Sequence, residues 1–511
     1  MPRRFVLTVL SFALFAAAAP AAGADALPGA HVSAAPQDIA KPADYPGIQH
    51  LHFEYGPIKI SPGQNTIEAR PNTERPSVPG FITRFKPNLV YTDDGSVPPV
   101  DIIHLHHGVW LSNYYPLFAA GEEKTTYNFP QGYGLRYQPS DNWIMNYMIH
   151  NLTPAPTQVY ITYDIDFVPD SEAAAAAITT VKPQWMDVAG IKWYPVFDVY
   201  KGSGKNGKFR FPDQARTAAQ RTSVGPNHEW TVPHDLTLIA TSAHLHPAGL
   251  YGDLTVTRNG VTKTIFHSVA KYFEPAGAVS WDVAMTASKR DWEIALKAGD
   301  KVNVHVTYDT RRASWYESMG IMDTFYADGI QSGASDPFEQ QPDISGQLTH
   351  GHLPENDNHG GAPDSSLPDA RKLLSGVATT KVAIRNYVYG RGDFQLKGRK
   401  GRPPVVKRGR SITFTNLDAT RTLSPQQSAY HTITACKAPC TGGTGIAYPL
   451  ANAKVQFDSG ELGYGPNMLG SKFTPAANRN TWKTPKNLSA GTYTYFCRIH
   501  PFMRGSFRVI K

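Results

Sequence analysis

From about residue 46 to residue 335 the chain runs in short stretches where apolar and polar positions alternate, each closed by Pro, Gly or Asn. A period of two marks strands with one buried face, and many such runs at close spacing predict β-sandwiches. Helical periods are few. The alanine run within Ser171–Ile178 reads as a brief helix or a connector between two sandwiches. From Ser335 to about Ala378 the composition turns to Pro, Asp, Gly and Ser, which predicts an interdomain connector. Alternation then returns, and Tyr493-Thr494-Tyr495-Phe496-Cys497 predicts a strand running into a loop. The expected class is all-β.

The N-terminus changes the compartment in which this chain is read. Met1-Pro2-Arg3-Arg4, the apolar run Phe5–Ala19 and then Ala22-Gly23-Ala24 predict a signal peptide over 1–24, with residues 25–45 as a flexible Ala- and Pro-rich leader. No second apolar run approaches the roughly 18 residues needed to span a bilayer. The expectation is an exported protein, periplasmic or extracellular, with no integral span; Sec and twin-arginine export both stay open. At about 150 residues per domain, 511 residues suggest three domains. A net charge of +8 would suit nucleic acid, but export argues against that partner. The densest basic run, Lys397, Arg399, Lys400, Arg402, Lys407, Arg408 and Arg410, reads as a solvated loop, with docking of an acidic electron donor or an anionic cell surface as the alternative.

The most concentrated chemistry is Cys497-Arg498-Ile499-His500-Pro501-Phe502-Met503. A thiolate, an imidazole and a thioether suit copper held for electron transfer, since a weak axial Met beside His₂Cys is the type 1 arrangement. The second imidazole is expected upstream, in Tyr430-His431-Thr432-Ile433. Export leaves Cys436 and Cys440 free to pair, pinning the inserted loop between them. The spacing Cys-x₂-His-x₂-Met resembles amicyanin, a small cupredoxin of the plastocyanin group, over about the last quarter of the chain. This implies a Greek-key β-sandwich over residues 379–511, with copper held by His431, Cys497, His500 and Met503. His431 and Cys497 are further apart than in simple cupredoxins, and the excess falls around Cys436–Cys440 and the Gly-rich segment that follows.

Upstream, histidines gather at His104-Leu105-His106-His107, at His150 and at His244-Leu245-His246. Residues two apart share a strand face, so His244 and His246 can chelate one metal, and so can His104 and His106. A thioether follows in Glu317-Ser318-Met319. An adjacent His pair, a lone His, a His-x-His pair and a later Met, in that order, resemble the copper type II monooxygenases, the family of peptidylglycine α-hydroxylating and dopamine β-monooxygenases. The resemblance covers roughly residues 46–335. It implies two jelly-roll subdomains, 46–178 and 179–335, followed by a linker over 336–378. It also implies one copper on His106, His107 and His150 for electron transfer, and a second, catalytic copper on His244, His246 and Met319 for dioxygen, facing each other across a solvated cleft. His104 ranks there as a supporting or alternative ligand. The chain departs from the peptide-hydroxylating members at Ser242, Ile321 and Asp323, which argues against a clamped peptide carboxylate. Met148 stands in place of a glutamine and reads as core.

The expected function is a copper-dependent monooxygenase hydroxylating a C–H bond of a small molecule or polymer with O₂, drawing electrons from an external donor through the fused cupredoxin. The alternatives are a non-catalytic copper-binding electron-transfer protein and an oxidase that reduces O₂ alone. The linker histidines His350, His352 and His359 read as solvated, with copper transit as the alternative.

Overall fold

The computed structural model describes residues 42–511 except 62–64, 72, 101, 154, 190–194, 216–227, 274–281, 353–367, 421–428, 439–454, 465–477 and 501. The expected signal peptide, most of the leader, His359 and Cys440 lie outside the described residues.

The chain is all-β. Among the described residues one 3₁₀ turn, Ala173–Ala177, interrupts the strands, inside the alanine run. Among the described residues no helix is long and apolar enough to cross a membrane.

One 11-stranded sheet runs through the whole of the histidine-bearing region. Its joint is the strand Thr179–Asp187, parallel to Tyr133–Tyr137 on one side and antiparallel to Gly320–Asp328 on the other. A 4-stranded sheet covers the first half, in the order Asn65–Pro71, Trp143–Asn151, Ile103–Ser112, Tyr115–Gly121. Between them lies an aromatic core of Phe85, Trp110, Phe118, Trp143 and Tyr163, in which Phe85 and Phe118 stack at 4.3 Å. A 5-stranded sheet built on Gly249–Arg258 and Lys301–Asp309 packs with the second half over Phe197, Leu254, Tyr308 and Met322. The strand Gly346–Leu348, inside the stretch expected as connector, pairs with Thr286–Ser288.

The C-terminal body holds a 5-stranded sheet, Val405–Lys407, Arg504–Ile510, Gly491–Phe496, Thr434–Lys437 and Val455–Asp458, and a 3-stranded one, Lys381–Ile384, Thr413–Asn416 and Thr481–Lys483. Alternation along Gly491–Phe496 explains how this body joins the rest. Tyr493, Tyr495 and Cys497 belong to its own core, whereas Phe496, on the opposite face, packs into the core of the second sandwich. Arg498 follows Phe496 in that direction. Its guanidinium lies 4.0 Å over the Trp315 ring, donates to Ser314 O at 2.7 Å and pairs with Asp458 at 3.1 Å. Both side chains are buried. The basic residues of 397–410 are exposed except Arg402, which is half-buried, in keeping with a solvated loop.

Candidate metal centres

The strand Gly491–Phe496 delivers Cys497 to the end of its sheet, and the loop after it folds back. Cys497 N donates to Met503 O at 3.1 Å and Met503 N to His500 O at 2.9 Å. The sulfur lies 3.9 Å from His431 Nδ1 and 3.8 Å from His500 Nδ1, and the two nitrogens are 3.2 Å apart. Thr432 N and His500 N each donate to Sγ at 3.4 Å. His431, Cys497, His500 and Met503 are all buried. On its outer nitrogen His431 meets Asp418 at 3.0 Å, which ties off Nε2 and leaves Nδ1 aimed at the sulfur. Burial pushes the Cys497 thiol up, but hydrogen bonds from His431 and His500 outweigh it and hold the group well below the usual thiol range. Two imidazoles around a thiolate, with a buried thioether in the same core, fit the donor set of a type 1 copper. Cys436 is disulfide-bonded.

The upstream histidines converge on the seam between the two sandwiches. His104 and His150 are cross-strand neighbours, which brings His104 Nε2 to 2.9 Å from His150 Nδ1. The pairing register then shifts between Leu105 and His107. Such a bulge re-aims side chains, and the adjacent His106 and His107 part company here. His106 stacks on His150 at 4.2 Å and meets the His246 ring at 4.4 Å. His107 instead lines a cavity of about 300 Å³ together with His244 and Met319. Most of the remaining wall is apolar, including Val109, Leu111, Trp185 and Ile321.

Two carboxylates that the sequence analysis passed over complete the picture. The turn after Tyr115–Gly121 carries Glu122 and Glu123, both buried. Glu122 Oε1 lies 2.5 Å from His106 Nδ1 and 3.4 Å from His104 Nε2. Glu123 holds His244 Nδ1 at 3.0 Å. That leaves His244 Nε2 buried with no hydrogen-bond partner among the described residues, and His246 Nε2 likewise. A carboxylate on one nitrogen and an unpartnered nitrogen on the other side of the ring, as at His244, is how metal-binding histidines are oriented. Burial pulls the His244 imidazole down, but the Glu123 charge prevails and raises it to about 9. His107 lacks such a partner, and burial, with His106 and His244 beside it, pushes it down to about 3. Gly121 makes this meeting possible: a Cβ there would sit 2.5 Å from His106 O and 2.7 Å from the His244 ring.

The sets expected from the sequence are therefore brought to one place rather than to two sides of a cleft. His106 and His246, assigned to different coppers, are in ring contact. His244 and His246 are 5.3 Å apart by ring centroid, while Met319 joins His244 at the cavity. Met319 is anchored through its backbone, since Tyr308 OH donates to Met319 O and accepts from His246 N at 3.1 Å. Burial, the imidazoles of His106 and His104 and, more weakly, His500 hold His150 well below the usual imidazole range.

No family model matches the chain, and no curated protein does. Among solved structures, a Cu-containing nitrite reductase (NirK) from Thermus scotoductus SA-01 aligns at 11% identity over 55% of this chain and 58% of that one, with a TM-score of 0.15. An infectious bursal disease virus Gx strain structure aligns at 10% identity over 59% of this chain and 77% of that one, with a TM-score of 0.16. Likenesses this weak carry no argument about fold or function.

Among the remaining histidines, His267 pairs with Asp253 at 2.6 Å, His305 with Asp213 at 2.9 Å and His234 with Asp328 at 2.8 Å. His350 is buried with its ring nitrogens against Gly351 O and Val283 O, and His352 meets Asp282 at 2.6 Å. These pairings use the nitrogens locally. The signal for Glu122 and Glu123 in the sequence was slight, because two adjacent acids in a turn ordinarily face water.

Proposed function

We propose that the protein is an exported copper-dependent monooxygenase that hydroxylates a C–H bond of a small, largely apolar molecule, with electrons entering through the C-terminal cupredoxin. The observation that carries this reading is the cavity of about 300 Å³ at the seam, where His107, His244 and Met319 meet an otherwise mostly apolar wall. His244, His246 and Met319 would hold the copper of the catalytic site, and His431, Cys497, His500 and Met503 that of the cupredoxin. Copper bound there would supply one-electron transfer at the cysteine site and activation of O₂ at the cavity, its thioether ligand favouring the cuprous state.

The chain's own groups do the rest. Glu123 fixes the tautomer of His244, so that Nε2 faces inward. Val109, Leu111, Trp185 and Ile321 exclude water and select an apolar substrate. Among the described residues no lysine or arginine lines the cavity, which suits a substrate without a carboxylate to be clamped. Inserting one oxygen atom and reducing the other to water takes two electrons from an outside donor. Arg498 supports their passage: it follows Cys497 directly and reaches Ser314 and Trp315, four residues before Met319.

The test uses the full-length, copper-loaded protein, reduced and then given ¹⁸O₂ with a panel of small apolar compounds. The expected result is ¹⁸O in a product, together with oxidation of the blue centre that depends on substrate. An electron carrier alone would consume no O₂, and an oxidase would consume it without labelling any compound. Either outcome overturns the reading.

A further inference from the structure

Four buried donor atoms lie together beside the cavity without belonging to it. His104, His106, Glu122 and His150 each offer one, and these atoms all lie within 4.8 Å of one another. They come from three pieces of chain: the strand Ile103–Ser112, the turn after Tyr115–Gly121, and the strand Trp143–Asn151. Each residue is at most 5% exposed. His104 is oriented from behind, its Nδ1 lying 2.5 Å from Val100 O. A carbonyl can only accept, so Nδ1 carries a proton and Nε2 is the nitrogen turned toward His150 and Glu122. His107 is aimed elsewhere, into the cavity, and its ring centre is 5.8 Å from that of His106.

We propose that His104, His106, His150 and Glu122 bind one divalent first-row transition ion. This refines the monooxygenase reading, on which it rests for the role of the ion: His107, expected as a ligand of the electron-transfer copper, is released to the cavity, and His104 and Glu122 take its place. A carboxylate buried in a low-dielectric site needs a cation beside it. The ion-pair contacts to Glu122 Oε1 come from imidazoles, which a bound cation would turn from charge partners into ligands. Three imidazoles and a carboxylate form a harder set than one containing a thioether. The site therefore favours the divalent state, with Cu(II) the tightest binder among the common ions. Of two centres whose histidines His106 and His246 are in ring contact at 4.4 Å, one would then favour the oxidised and the other the reduced ion.

The experiment is titration of the metal-stripped full-length protein with Cu(II), and separately with Zn(II), reading bound equivalents by mass spectrometry and affinity by competition with a chelator. In the wild type, equivalents beyond the one that gives the blue colour are expected. Glu122→Gln and His104→Gln should each weaken one of these at least tenfold and leave the blue colour intact, while His107→Gln leaves its affinity unchanged. Glu122→Asp keeps the buried charge and withdraws the oxygen by one methylene; it serves if the neutral variants misfold, and should weaken the same equivalent. If His107→Gln removes the equivalent and Glu122→Asp does not, the ligand assignment is overturned while the monooxygenase reading stands. If the wild type binds nothing beyond the blue copper, both fail.

Discussion

The cysteine centre and the histidine centres are assembled in opposite ways. Three of the four candidate donors at the cysteine centre come from one loop, Cys497–Met503, closed on itself by the Cys497 N to Met503 O bond. Only His431 arrives from elsewhere. The histidine donors come from strands of both sandwiches, from a turn and from the residue before Gly320–Asp328, and they meet only because Gly121 has no side chain. A site written into one loop needs little more than its own sheet. A site written across a seam needs the whole docked assembly.

The largest effect should come from Cys497→Ser. It removes the thiolate on which the blue absorption depends, so the colour should vanish entirely while metal bound at the seam remains. Loss of the seam metal as well, measured by metal analysis, would erase the contrast. Next in size is Arg498→Met. Asp458 would be left as a buried, unpaired charge at the junction, a change costing about 3–5 kcal/mol. Chemical denaturation should show that loss, partly recovered in Arg498→Met with Asp458→Leu. Full stability in the single variant would mean that the junction contributes nothing to holding the two bodies together.

That contrast also governs what could be read before folding. The all-β class followed from period-two alternation, and the Cys497–Met503 loop from three residue types at short spacing, both local properties of the chain. His104 was legible as sharing a strand face with His106, and so as a supporting or alternative ligand. The bulge between Leu105 and His107 that separates His106 from His107 has no signature in residue order. Glu122 and Glu123 were invisible for a stronger reason: a carboxylate's role is set by what faces it, and here the facing imidazoles come from distant segments.

Buried carboxylates sharpen the comparison through pH. Burial pushes Glu122 up, but His106 and His104 outweigh it and hold it well below the usual carboxylate range. Asp393, buried in the C-terminal body, accepts backbone N–H groups from Tyr389 at 2.7 Å and Gln395 at 2.8 Å, and burial raises it to about 6. A carboxyl raised in the folded state stabilises fully below its unfolded value, near 3.8, and that stability is lost as pH rises through about 6. The loss amounts to about 3 kcal/mol at most. Unfolding free energy measured from pH 4 to 6 should fall in the wild type and stay flatter in Asp393→Asn; parallel profiles would show that Asp393 is not raised.

A smaller effect is expected where a carboxylate acts only through a histidine. Glu123→Gln keeps a hydrogen bond to His244 Nδ1 within reach but removes the charge. Metal affinity at the cavity should fall by about 10–100-fold, with blue absorption unchanged. An unaltered affinity would mean that packing alone orients His244.

The finest discrimination lies between two methionines in one apolar cluster. Met148 and Met319 both pack with Ala119, Trp185 and Ile321, but only Met319 lines the cavity beside His244. If sulfur matters only where it can reach the metal, the same substitution should have different consequences at the two positions. Met148→Leu conserves volume and should cost less than about 1.5 kcal/mol, leaving Cu(I) affinity untouched. Met319→Leu should be equally mild for folding, yet weaken Cu(I) binding without weakening Cu(II). X-ray absorption of the reduced protein reads the difference directly: a copper–sulfur distance additional to those of the Cys497 site should survive the first substitution and disappear with the second. Equal spectra from the two variants would make Met319 another gap filler, and the cavity a hydrophobic pocket whose only soft donors are imidazoles.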